Sequence, residues 1–304
     1  MPWLRLIRWK NLLIIFLTQL LAWGCVILPQ NPQVLIPLNF LLLTFSTMLI
    51  AAAGNIINDY FDIKIDAINN PGKVILEKII PRKQAIISHT ILNLIALFLA
   101  AFVALQAHHL EWLLLQMCCT LLLWFYSTNF KRQYISGNLV IALLTALTII
   151  VLILYEPNMH TSLQSFTDIP AAQWILYVFA YFAFMLTWMR EIVKDMEDHI
   201  GDRASGCDTM PIKQGLAYAT NFTMVLTLLV IIPLCFVSVL LFRHHYLLPP
   251  LYITCALILP LIIWSALLGT KFTVQHYHNS SKGLKIIMVI GICSLLIYHF
   301  ISTT

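Results

Sequence analysis

Charge is what this 304-residue sequence has least of. Asp, Glu, Lys and Arg together make up 10% of it, against roughly 25% in soluble domains. Hydrophobic residues fill 60%, and apolar runs long enough to cross a bilayer recur along the whole length. A soluble globular chain is thereby excluded, and the gaps between runs leave no room for a separate soluble domain. The seven cysteines, Cys25, Cys118, Cys119, Cys207, Cys235, Cys255 and Cys293, include no C-x-x-C pair, which argues against zinc or redox use. Most lie inside apolar runs and read as small core residues. A small-residue cleavage site is also missing behind the basic N-terminus. The apolar run from Asn11 to about Leu28 therefore reads as a retained first span and not as a signal peptide.

Nine spans are expected, at about 11–28, 35–57, 84–106, 110–127, 138–155, 173–193, 215–241, 248–269 and 284–301. With the N-terminus inside, every Lys and Arg except Arg243 falls in or at the edge of the segments 1–10, 58–83, 128–137, 194–214 and 270–283. That asymmetry places these segments, and the N-terminus, on the cytoplasmic side. The net charge of +5 is then a topological feature facing anionic lipid. It gives no support to nucleic-acid binding, and nothing in the chain implies an obligate protein partner. The expectation is an all-α, multi-pass protein of the cytoplasmic membrane, one domain over residues 1–304.

The scarce acids are not scattered. In 54–66, taking Asn58 as zero on a helix, Asp62 lies at about 40°, Asn55 at about 60°, Asp66 at about 80° and Asp59 at about 100°. A second arc follows the sixth apolar run. With Asp195 at zero, Glu191 lies at about −40°, Asp198 at about −60° and Asp202 at about −20°. Carboxylates crowded beside hydrocarbon make no sense as a structural face, since acids at a membrane edge are by default functional. Hard carboxylate and amide oxygens suit Mg²⁺, which takes one or two carboxylates, waters and phosphate oxygens. Glu197 and Asp208 fall off the second arc and are expected to be solvated.

Basic residues accompany both arcs: Lys73, Lys78, Arg82 and Lys83 after the first, Arg190, Lys194, Arg203 and Lys213 around the second. Mg²⁺ and cations together stabilise a departing pyrophosphate. An apolar chamber among the spans would hold a long hydrocarbon tail. Tyr60, Phe61, Tyr126, Tyr181 and Trp188 are available to shield an allylic cation. The active site is expected at the cytoplasmic edge. A secondary transporter is the reading of a different class, but its acids belong near the bilayer midplane on interrupted helices.

The stretch Asn58-Asp59-x-x-Asp62-x-x-x-Asp66, with Asp195-x-x-Asp198-x-x-x-Asp202 far downstream, resembles the UbiA superfamily of intramembrane prenyltransferases. The resemblance covers nearly the whole chain and implies that family's nine-helix architecture. It implies Mg²⁺ held by Asn58, Asp62, Asp66, Asp195, Asp198 and Asp202, with Asp59 as a further candidate ligand, on a prenyl diphosphate. Asp62, Asp66, Asp195 and Asp198 would be the catalytic core. Asn55, Asn58, Lys73, Tyr126, Lys131, Arg132, Arg190 and Lys194 are the candidate substrate contacts. Arg190-Glu191-Ile-x-Lys194-Asp195, closing on Thr209-Met210-Pro211, and Lys131-Arg132 before Gly137-Asn138 are similar to the digeranylgeranylglyceryl phosphate synthase branch. That likeness implies geranylgeranyl diphosphate as donor and geranylgeranylglyceryl phosphate as acceptor. An aromatic acceptor, as in quinone or haem side-chain pathways, is the alternative. Many relatives carry Arg-Pro pairs after the first motif. Here the segment reads Asn69-Asn70-Pro71-Gly72-Lys73-Val74, so Lys73 is its basic residue.

Overall fold

In the computed structural model, which describes residues 1–69, 72, 74–159 and 171–303, nine helices among the described residues are long and apolar enough to cross a membrane. They are α1 (Trp9–Gln30), α2 (Pro37–Asn69), α3 (Arg82–Gln106), α4 (Leu110–Thr128), α5 (Ser136–Leu154), α6 (Ala172–Ala204), α7 (Leu216–Arg243), α8 (Leu248–Leu268) and α9 (Val274–Ile301). No strand occurs among the described residues. The chain is an integral membrane protein of all-helical architecture.

Two of these helices outrun the apolar stretches that announce them. The span expected at 35–57 continues to Asn69, and the one expected at 173–193 continues to Ala204. Hydropathy falls where the acids begin, but the backbone ladder does not need hydropathy. Ile57 and Ile65 on α2, and Ile192, Val193 and Met196 on α6, stay buried beside the acids and keep each extension packed. Both acidic arcs therefore stand on rigid helix. A Schellman-type end stops α6: Gly206 takes φ +70°, while Cys207 N–H bonds Asp202 C=O at 2.9 Å and Gly206 N–H bonds Arg203 C=O at 3.2 Å.

The chain divides into two compact units, 1–131 with 147–180, and 132–146 with 181–304. In the first, α2 and α3 approach closely over small buried residues, Ala53 on one and Ala96 and Ala100 on the other. Ser46 Oγ donates to the Ala96 carbonyl at 2.8 Å, and His89 Nδ1 lies 3.0 Å from the Ala53 carbonyl. Gly54 admits α4: a Cβ there would sit 2.8 Å from the Leu123 methyls. In the second unit, Trp264 Nε1 donates to the Ser280 carbonyl at 2.9 Å, tying α8 to α9. Glu197, expected to be solvated, is instead packed against His278 Nδ1 at 2.7 Å. The expectation for Asp208 holds: it is exposed and paired with Lys213 at 3.2 Å.

Glu156 is fully buried in the first unit. Its carboxylate accepts the backbone N–H groups of Gln33 at 2.9 Å, Val34 at 3.2 Å and Leu35 at 2.9 Å. These donors precede α2 and have no strand or helix of their own to satisfy them. Glu156→Ala strands all three. It should lower stability by at least about 3 kcal/mol, read as a fall in melting temperature in detergent, with Glu156→Gln losing less. A wild-type melting temperature for Glu156→Ala would contradict this role.

Candidate active site

The first acidic arc lies on α2. Asn58 and Asp62, one turn apart, are both buried. Asp62 is held by the ammonium of Lys131, delivered by the short turn Phe130–Arg132 that follows α4. Burial opposes the charge on Lys131, but the Asp62 carboxylate outweighs it and holds the ammonium above the usual lysine range. The Tyr126 phenol neighbours the same ammonium. Asp66, one turn further, is half-buried. The Oδ1 of Asn58 is buried without any hydrogen-bond partner, an oxygen lone pair directed at nothing in the protein.

The remaining members of this arc serve the N-terminal segment. Asp59 accepts from Arg8 Nη2 at 2.7 Å, and Asn55 Nδ2 donates to the Ile7 carbonyl at 3.0 Å. Arg8 reaches Asp59 from a left-handed turn, φ 54°. Leu6 is fully buried against Ile56, Leu76, Ile80 and Ala85. The sequence offered no signal for these partners, because the contacts join segments about fifty residues apart. Lys73 lies outside the described residues.

The second arc lies on α6. Glu191 is buried and bridges two cations, accepting from Arg190 Nη1 at 2.9 Å and Lys194 Nζ at 2.9 Å. Arg190 thus pairs with its neighbour in sequence, and Lys194 with a carboxylate one turn back. Asp195 Oδ2 accepts from Asn138 Nδ2 at 2.9 Å. Asp202 is buried and Asp198 half-buried. Arg132 is exposed, and its backbone carbonyl accepts the Asp208 N–H at 2.8 Å. One aromatic assignment differs from expectation. Tyr181 is exposed, lies about 21 Å along the helix from Asp195, and donates to the Leu229 carbonyl at 2.8 Å. Trp188 packs edge-on against Phe222 with ring centroids 5.8 Å apart.

The donor set fits a hard divalent cation. Buried carboxylate oxygen and an orphaned amide oxygen suit Mg²⁺ and offer nothing to a soft metal. Among the described residues no three acidic, imidazole or thiolate side chains form a protein-only cage. Mg²⁺ does not ask for one, since it keeps waters and takes substrate phosphates.

Residues 15–280 match the profile of the UbiA prenyltransferase family. The chain belongs to that family. Among its relatives is the digeranylgeranylglyceryl phosphate synthase of Methanosphaera stadtmanae, 29% identical over 297 residues, 96% of this chain and 97% of the relative. A solved structure described as digeranylgeranylglyceryl phosphate synthase in membranes is 26% identical with TM-score 0.64, over 98% of this chain and 97% of that one. A UbiA homolog from Aeropyrum pernix K1, at 14% identity, shares the UbiA fold with TM-score 0.65 over 91% and 95% of the two chains. Both acid arcs of this UbiA family member lie within the matched residues.

Lys131→Met should leave Asp62 buried without its counter-ion and lower the stability of metal-free protein by about 3 kcal/mol. The folded-state pKa of Lys131 lies above the ordinary lysine value of about 10.4. Its stabilising charge is therefore fully present below that value and lost only as pH rises through the higher folded value. The deficit of Lys131→Met should accordingly be present in full at about pH 9, still below the ordinary lysine value. Melting curves at that pH check this; a wild-type melting temperature would contradict the pairing.

Proposed function

We propose that this chain transfers a prenyl group from an allylic prenyl diphosphate to the free hydroxyl of a prenylated glyceryl phosphate, releasing diphosphate. Geranylgeranyl diphosphate and geranylgeranylglyceryl phosphate are the pair we assign. The observation that carries the reading is Asn58 with Asp62: an unclaimed oxygen and a buried carboxylate on one turn of a helix in a family of prenyltransferases. The near full-length likeness to a digeranylgeranylglyceryl phosphate synthase supports the lipid acceptor over an aromatic one. The edge position of the acids, at helix ends, speaks against a transporter.

Asn58, Asp62 and Asp66 would hold Mg²⁺ on the first arc, and Asp195, Asp198 and Asp202 on the second. Asp59 belongs to the first group only if Arg8 releases it. Mg²⁺, when bound, neutralises charge on the departing diphosphate. Lys131 is a point charge able to move from Asp62 to a phosphate oxygen. Asn138 fixes the rotamer of Asp195 through its hydrogen bond. Tyr126 stands beside Lys131, where a phenol can donate to the same anion. The surrounding apolar side chains exclude water from the allylic carbon, so that the acceptor hydroxyl and not water attacks it. Lys73, Arg132 and Lys194 are assigned to phosphate oxygens in the same reading. We assign the N-terminus and both arcs to the cytoplasmic side, a reading that the basic-residue asymmetry supports.

Purified protein, Mg²⁺ and labelled geranylgeranyl diphosphate should yield a diether lipid phosphate with geranylgeranylglyceryl phosphate, and no product with 4-hydroxybenzoate. Asp62→Ala and Asp198→Ala should each lower turnover at least about 10³-fold while inserting into membranes normally. A prenylated aromatic would overturn the acceptor. Wild-type turnover in either variant would overturn the metal-binding role.

A further inference from the structure

Helix α6 carries a polar feature that the acid arc does not absorb. Thr187 is 4% exposed, and its hydroxyl has no hydrogen-bond partner. Thr145, Thr220, Thr223 and Thr227 in other spans each donate to the carbonyl four residues earlier, at 2.8–2.9 Å, while Thr44 on α2 is likewise buried without a partner. That back-bond is the ordinary way for a buried helical hydroxyl to be satisfied. Thr187 forgoes it. One turn on, the Nε of Arg190 is also buried without a partner, although Nη1 of the same guanidinium is on Glu191. Two orphaned donors at i and i+3 occupy neighbouring positions on one helix face.

That face is continuous with the second acid arc. With Thr187 at zero, Arg190 lies at about −60°, Lys194 at about −20°, Asp198 at about 20° and Glu191 at about 40°. Thr187 sits about 12 Å from Asp195 along the axis, toward the apolar end of the helix. Between these positions the carboxylate of Glu191 accepts from both Arg190 and Lys194. A hydroxyl and a guanidinium N–H together can donate to a phosphorylated, oxygen-rich head.

We propose that Thr187 Oγ1 and Arg190 Nε bind the glycerol phosphate head of the acceptor lipid. The inference rests on the function proposed above. The diphosphate of the donor has the same oxygen chemistry, but it belongs with the carboxylates and their cations. The orphaned donors lie one to two turns nearer the hydrocarbon, where the prenyl chain would extend in the proposed reaction.

Thr187→Val removes the hydroxyl and keeps the shape; Thr187→Ser keeps the hydroxyl. Each protein is titrated separately with geranylgeranylglyceryl phosphate and with geranylgeranyl diphosphate plus Mg²⁺, and steady-state kinetics are run in parallel. The acceptor Kd and KM of Thr187→Val should rise about five- to tenfold, with the donor Kd unchanged and Thr187→Ser close to wild type. Retained donor binding shows that the variant is folded. An unchanged acceptor affinity overturns the assignment, and an equal loss for donor and acceptor gives these groups to the diphosphate instead. Wild type that binds the acceptor without forming diether would sink the function reading alone, while the Thr187→Val ratio still judges the site. Wild type that binds no acceptor sinks the site.

Discussion

A carboxylate withdrawn from water at the end of a membrane helix has to have positive charge beside it, and Asp62 is such a group. Its desolvation is tolerable only with a cation in contact, and Lys131 supplies one. The turn after α4 is thereby fixed to the acidic end of α2. Asn58, one turn earlier on the same buried line, keeps an oxygen unspent. On the function proposed above, Asp62 and the unengaged Asn58 oxygen would receive a metal, with Lys131 passing from Asp62 to a phosphate.

The two units treat their acids alike in one respect. In each, a long helix continues past its apolar stretch and sets carboxylates on rigid backbone, with a nearby amide or cation fixing their direction. On α2 these are Lys131 and Arg8; on α6 they are Arg190, Lys194 and Asn138. The arrangement separates duties among residues that look equivalent in sequence. Asp59 and Asn55 secure the N-terminal segment, and the proposed function assigns the chemistry to Asn58, Asp62 and Asp66. Glu191 organises two cations, and Asp195 is oriented through Asn138.

Much of this was legible beforehand. Nine spans, their membrane character and two coherent acid arcs follow from hydropathy and the 100° period, because both are properties of local sequence. Helix ends were less legible: α2 runs to Asn69 and α6 to Ala204, since hydropathy registers charge while the backbone ladder registers only its own continuity and the packing of Ile65 and Met196. Pairings were least legible. Lys131 with Asp62, Arg8 with Asp59, and Glu197 with His278 join segments fifty to eighty residues apart, which a one-dimensional pattern does not connect. Thr187 was silent for a different reason, as a threonine in a membrane helix is unremarkable until its missing back-bond is seen.

Mn²⁺ binding followed by electron paramagnetic resonance, with a non-reactive prenyl thiodiphosphate present, tests the central claim most directly. Wild type should take up Mn²⁺ in the presence of the analogue, and Asp62→Ala should lose that uptake while still inserting into membranes. Equal Mn²⁺ uptake by the two proteins would contradict the account.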